Sequence, residues 1–163
     1  MYLVGIISDN KNIIYALNKK KEFDKVNFIE LDTNTIENFR NIKFDIILIS
    51  NLGKSKKNYI LNKILSNASI TVINADIKQN LSVLDNLKGI VITYGFNAKA
   101  TITASSVDDN NISICVQRII ENINKEKIEP IEYVENIGNV ENIEISDVIG
   151  IKTIEKLLTK KKN

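Results

Sequence analysis

SITVINADIKQNLSVLDNLKGIVITYGF, residues 69–96, decides the fold. Residues 70–73 (ITVI) are β-branched and apolar, the composition of a short strand buried on both faces. Asn74-Ala75-Asp76 breaks the run at the strand's end. Over 77–87, Leu81 and Leu84, with Ile77 and Leu87, recur at a spacing that predicts a helix. Lys88-Gly89 closes it, and 90–94 (IVITY) is a second buried strand. Strand, helix and strand of this length form one crossover, so the two strands run parallel.

The pattern repeats upstream. Strands are predicted at 2–7, 26–31 and 44–49, with helices at 12–21 and 56–65 and a short one after Asp32-Thr33. Five short apolar strands alternating with helices predict an α/β fold, a mostly parallel Rossmann-like sheet flanked by helices. Beyond Phe96 the period changes from helical to two. Residues 98–107, 112–119 and 128–134 read as an antiparallel meander, a small three-stranded sheet attached to the parallel one. Pro130, the only proline, cannot donate to a ladder and marks an edge there. Residues 138–161 return to helix, with an expected break at Gly150. The whole forms a single domain over 1–163: a parallel part to about 97, a meander to about 135, then helices.

Composition narrows the chemistry. Of 163 residues, 44% are hydrophobic and 26% charged, enough apolar material for a core. A net charge of +2 argues for neither nucleic acid nor a membrane surface as partner. Cys115 stands alone, so no internal disulfide forms, and the chain fits a reducing compartment. Histidine is absent, which removes the commonest general base and metal ligand. No stretch approaches the length of a membrane span, and the first residues turn polar too soon for a signal peptide. The expected location is the cytoplasm.

Several local strings, in this order, resemble the central ATP-binding domain of the Mur ligases. FDIILISNL (44–52) resembles a family strand ending in Thr-Asn, VINADI (72–77) its "vlNaDd" segment, and VITYGFN (91–97) its "vitYGf" strand. GNVENI (138–143) resembles its Asn-x-x-Asn helix start, and IGIKTIEKLL (149–158) the "lGi…ieeL" that follows. The resemblance runs from about Phe44 to the end, and the meander fits that domain's accessory sheet. It implies descent from enzymes that join amino acids to peptidoglycan precursors through an acyl phosphate.

The residues that would drive such chemistry are altered. VGIISDNKNI (4–13) stands where the family has its phosphate loop, "GiTGTNGKTT". Such a loop uses glycines to wrap backbone N–H groups around phosphate, a Lys for charge, and Ser/Thr for Mg²⁺. Here Asn10 and Lys11 remain in outline, the glycines are gone, Asn12 replaces the Ser/Thr, and Asp9 brings a carboxylate. Glu30 falls near the family's metal-binding Glu, and a structural Glu30–Lys11 pair is expected. The Asp-His pair expected after Asn51 is Leu52-Gly53-Lys54, and Lys63 lies near the family's carbamylated lysine. Gly53-Lys54-Ser55 imitates the end of a Walker A motif without its first glycine and reads as a polar loop.

Two residue pairs are candidates for ligand contact. Asn139 and Asn142 fall where the resemblance places an adenine ring, and at that spacing both amides can share one helix face. Alternatively Asn139 caps the helix and Asn142 is surface. Asn74 and Asp76 lie at a strand's carboxyl end, where open α/β sheets bind ligands, or else form an Asx turn. The expectation is a non-catalytic Mur-ligase-like domain with no cofactor, neither ATP nor Mg²⁺ binding productively. It would serve as a scaffold for a protein partner or a second copy of itself. The alternative is a nucleotide or small-ligand sensor that keeps an adenine pocket around Asn139 and Asn142, with Asn10 and Lys11 as further nucleotide-binding candidates. An active ligase ranks last.

Overall fold

A computed structural model describes residues 1–32, 34–53, 59–137 and 142–159. The strands are β1 (Tyr2–Ile7), β2 (Val26–Glu30), β3 (Ile46–Ile49), β4 (Ile70–Asn74), β5 (Ile90–Gly95), β6 (Ile102–Val107), β7 (Asn111–Val116), β8 (Ile120–Glu121), β9 (Lys127–Ile128) and β10 (Ile131–Asn136). The α-helices are α1 (Asn12–Asn18), α2 (Tyr59–Asn67) and α3 (Ile145–Leu158). Eight strands form one mixed sheet in the order β10-β7-β6-β5-β4-β3-β1-β2. From β2 to β6 every pairing is parallel, and β6, β7 and β10 continue antiparallel.

The crossover of residues 69–96 forms as its sequence predicts. β4 and β5 pair in parallel from Ile70–Ile90 to Asn74–Tyr94. All of β3 and β4 is buried, as expected of central strands covered on both faces. One face carries α1 and α3 over Val4, Ile6, Leu48, Val72 and Ile92. The other carries α2 over Ile47, Ile49 and Ile73. In β7 the buried positions alternate, Ile112, Ile114 and Val116, because only one face there is covered.

Four expectations need correction. The three antiparallel strands are not a sheet of their own. β6 pairs with β5 through Tyr94–Ile102 and Gly95–Thr103, which welds them onto the main sheet. The separate small sheet has two strands, β8 and β9, around a turn built on buried Asn122. Asn122 Oδ1 accepts from the Asn124 and Glu126 amides, and its Nδ2 donates to Thr159 O.

The helix expected over 77–87 is a 3-10 helix, Lys78–Asn86. Its two buried residues, Asn80 and Val83, are three apart, which suits three residues per turn. The helix expected over 12–21 ends at Asn18, and Lys21–Phe23 forms a separate 3-10 turn.

No break occurs at Gly150, and α3 runs unbroken from Ile145 to Leu158. Gly150 instead lets the helix approach Tyr94: a Cβ there would lie 2.8 Å from both Cζ and Oη of the buried ring. Ahead of α3, Asn142 has φ of +62°, outside the helical range, so the helix begins three residues after it. Pro130 immediately precedes β10, the edge strand, where its missing N–H breaks no ladder.

Gly150→Ala should therefore destabilise the fold by about 1–3 kcal/mol, the usual cost of overpacking a filled core. Urea denaturation of the variant, alone and with Tyr94→Phe, measures it. Part of the loss should return in the double variant, where the hydroxyl no longer opposes the new methyl.

Candidate functional site

The chain leaves β1 for β2 on one side and returns to β3 on the other. In open α/β sheets that reversal opens a crevice outside the carboxyl ends of the two strands. A cleft of about 270 Å³ lies there. Ser8, Asp9 and Asn10 line it from the loop after β1, Ser50 and Asn51 from the end of β3, and Asn74 from the end of β4. Ile77 comes from the turn that follows β4. Asn142 and Glu144 close it from the segment that leads into α3, and Ser146 and Asp147 from the first turn of that helix. Ile77 is the one apolar side chain among these, and none of them is Lys or Arg.

The floor is a network of buried polar groups. Ser50 Oγ donates to Asp147 Oδ1 at 2.5 Å and joins the tip of β3 to the first turn of α3. Burial pushes the Asp147 carboxyl above the usual carboxylate range, and the Glu144 charge adds to this. Hydrogen bonding from Ser50, and less strongly from Asn10, pulls the other way. Beneath them Tyr94 Oη is buried with no hydrogen-bond partner among the described residues. Burial, and then the Asp147 charge, drive that phenol's ionisation far above its ordinary range.

Asn80 holds the strand tips together. It is fully buried, and its Nδ2 donates to Ser50 O at 2.8 Å and to Asn74 O at 3.0 Å. Its Oδ1 accepts from the Leu52 amide at 2.9 Å. One side chain thus satisfies three backbone groups where β3 and β4 end and their ladder stops. Sequence reading missed it; the available signal was a polar residue midway between Ile77 and Val83 on the inward face.

The loop after β1 is closed on itself. The Asn10 amide donates to Ser8 Oγ at 3.0 Å, the Asn12 amide to Asn10 Oδ1 at 3.0 Å, and the Ile13 amide to Asn10 O at 3.3 Å. Asn10 Nδ2 donates to Asn142 O at 3.0 Å, and Asn12 Nδ2 to the same oxygen at 3.3 Å. Asn10 and Asn142 do meet, but through the backbone carbonyl of a left-handed turn rather than through two amides on one helix face. Asn139 lies outside the described residues.

The remaining candidates scatter. Lys11 is exposed and is not part of the cleft. Among the described residues no ion pair joins it to Glu30. Its charge adds a small pull on Asp32, which the Thr35 and Asn34 backbone N–H groups already hold below the usual carboxylate range. Asn74 is in the cleft, and its Oδ1 accepts from the Asp76 amide.

Asp76 points elsewhere. Its two carboxylate oxygens accept from the Phe96 amide at 2.6 Å and the Asn97 amide at 2.9 Å, fixing the turn after β5. Gly95, at φ of +139°, permits this, since a Cβ would lie 2.5 Å from Asp76 Oδ2. Lys63 Nζ donates to Asn41 Oδ1 and is not among the cleft residues. Lys54 and Ser55 lie outside the described residues.

No protein-family model matches this chain, and no curated protein matches it. Among the described residues no helix is long and apolar enough to cross a membrane. The cleft can therefore be read only from its own atoms. It offers hydroxyls, amides and carboxylates, and its loop amides are largely satisfied within the chain.

Two outcomes follow. Asn80→Ala should lower the unfolding free energy by about 3 kcal/mol in chemical denaturation, because three buried backbone groups each lose a hydrogen bond. Asp147→Asn should raise the melting temperature at pH 7. A carboxyl raised on folding binds its proton more tightly in the native state, so its ionisation costs stability as pH rises from below the unfolded value. The gap between variant and parent should shrink to nothing as pH falls through the carboxylate range. A gap independent of pH would refute the assignment.

Proposed function

We propose that this chain is a non-catalytic α/β domain, similar to the Mur-ligase central domain, that recognises a small polar ligand without using ATP. The observation that carries this reading is the self-closed loop at the carboxyl end of β1. A phosphate loop works because its amides are unsatisfied until the anion arrives. Here the amides of Asn10, Asn12 and Ile13 are already bonded to Ser8 and Asn10. With only seven residues, α1 adds little dipole to the position. Carboxylates of Asp9, Glu144 and Asp147 surround the space where a triphosphate would sit, and repel it. The residues present do not fit Mg-ATP, and no step through it is derived.

The cleft supports recognition over a purely architectural role. It lies at the chain reversal, where side chains from four separate segments converge. At about 270 Å³ it is smaller than the roughly 300–1,000 Å³ usual for larger organic ligands, which suits a metabolite below nucleotide size.

A scaffold reading is favoured by a different observation, the open edge of β10, paired with β7 on one side only. Glu135 on that strand is paired with Lys152, but Glu132, with Glu129 just before the strand, leaves negative charge along the edge that opposes pairing with an identical one. If the protein works as a scaffold, its partner is thus a different chain.

Isothermal titration with Mg-ATP tests the principal reading. No saturable heat is expected at micromolar protein and millimolar nucleotide. Micromolar binding would overturn the proposal. Sedimentation analysis should give a monomer across the same protein concentrations; a stable dimer would show that the charges along β10 do not prevent self-association.

A further inference from the structure

The reading of this cleft as a ligand site leaves open what enters it, and two groups in its wall constrain the answer. Asp147 is 5% exposed and lines the cleft. Its hydrogen bond from Ser50 brings no compensating charge. Among the described residues no cation pairs with Asp147, Glu144 or Asp9. A buried carboxylate without a counter-charge is costly, and proteins that keep one place a cation against it or shift its ionisation. Burial already shifts this one.

The second group is Asn74, 2% exposed at the end of β4. Its Oδ1 accepts from the Asp76 amide, which fixes the orientation of the side chain. Its Nδ2 donates to no partner among the described residues. That nitrogen is not among the sealed, unsatisfied atoms of the interior, so it opens on the cleft that Asn74 lines. An amide donor of fixed orientation that opens on a polar cleft can bond an acceptor atom of a ligand.

The geometry points to a small primary amine carrying a neighbouring hydroxyl or carbonyl oxygen, the class of amino alcohols and amino sugars, as the ligand of this cleft. The ammonium sits against Asp147, with Glu144 supplying further negative potential. The neighbouring oxygen accepts from Asn74 Nδ2. The inference rests on the ligand-site reading above and narrows it. It makes no use of a phosphate, and no bond is formed or broken.

Binding is tested by ¹⁵N chemical shifts of the full chain, titrated with ethanolamine and D-glucosamine. Ethylene glycol, D-glucose and inorganic phosphate are titrated in parallel. At pH 7 at least one amine should shift the Asn74 side-chain amide and the Ser50 and Asp147 backbone amides saturably, into the tens of millimolar. Its hydroxyl counterpart should bind about tenfold more weakly or not at all. In Asp147→Asn, which keeps an acceptor for Ser50 Oγ, the amine's preference over its counterpart should collapse. Glu144→Gln, on an exposed residue, should weaken it less.

Silence from both amines overturns the inference, as does equal binding of amine and neutral counterpart, or saturable shifts at these residues with phosphate. An unchanged preference in folded Asp147→Asn overturns it too. If that variant does not fold, a reduced but retained amine preference in Glu144→Gln together with its loss in the parent below the carboxylate range supports the inference. Retention of the preference there overturns it. Mg-ATP binding would overturn the functional reading as well; silent amines with silent Mg-ATP overturn this inference alone.

Discussion

Ser50 and Asp147 are 97 residues apart in sequence and share a 2.5 Å hydrogen bond. That bond ties the carboxyl tip of β3 to the first turn of α3 and so sets the walls of the cleft. It requires α3 to lie close against the sheet, and the helix gets there at Gly150, over the ring of Tyr94. Both contacts place the same helix. A side chain at residue 150 would lift the helix and leave Asp147 without its donor. Without Ser50, a carboxylate would be buried against Tyr94 with less to hold it.

The same edge of the sheet spends apolar packing on polar order. Asn74, Asn80, Ser50 and Asp147 are all buried. Four polar side chains in one place would weaken a core if left unpaired. Asn80 answers this for the backbone by taking Ser50 O, Asn74 O and the Leu52 amide at once. Farther out, Asp76 closes the turn after β5 through the Phe96 and Asn97 amides. Hydrogen bonds thus hold the strand tips, while the polar groups that they present to the cleft are only partly used. Pre-set geometry with spare hydrogen-bonding capacity is what a binding site requires.

How much of this was legible depends on the distance over which each signal acts. The alternation of strands and helices was readable because burial repeats with a period inside one element, as in β4 and β7. The antiparallel character of β6, β7 and β10 was readable from the change of period. Their attachment to the parallel sheet was expected too; that they continue it as one eight-stranded sheet was not, because this turns on two residue pairs between β5 and β6. The three-residue spacing of Asn80 and Val83 was equally on view, yet leucines at neighbouring positions suggested an α-helix instead of a 3-10 helix. In the site, Asn10, Asn74 and Asn142 were named from sequence and do gather at one cleft. Lys11 and Asp76 were named beside them and point to other tasks. Ser50 and Asp147 were not singled out, since a lone Ser or Asp carries no local sign that it will be buried; Asn80 was passed over although it stands midway between Ile77 and Val83.

By itself the sequence determined the layers: which segments are strands, which faces are apolar, and that a crossover at 69–96 makes the neighbouring strands parallel. These follow from periodicity and chain length, which are local properties. Tertiary structure alone decided the chemistry of the cleft. Asp147 becomes a buried, uncompensated carboxylate only when a helix from the end of the chain docks beside a serine from its middle. Asn74 gains a vacant amide only when Asp76 claims its oxygen. Charge and hydrogen-bond vacancy are properties of surroundings, and surroundings exist only once distant segments have met.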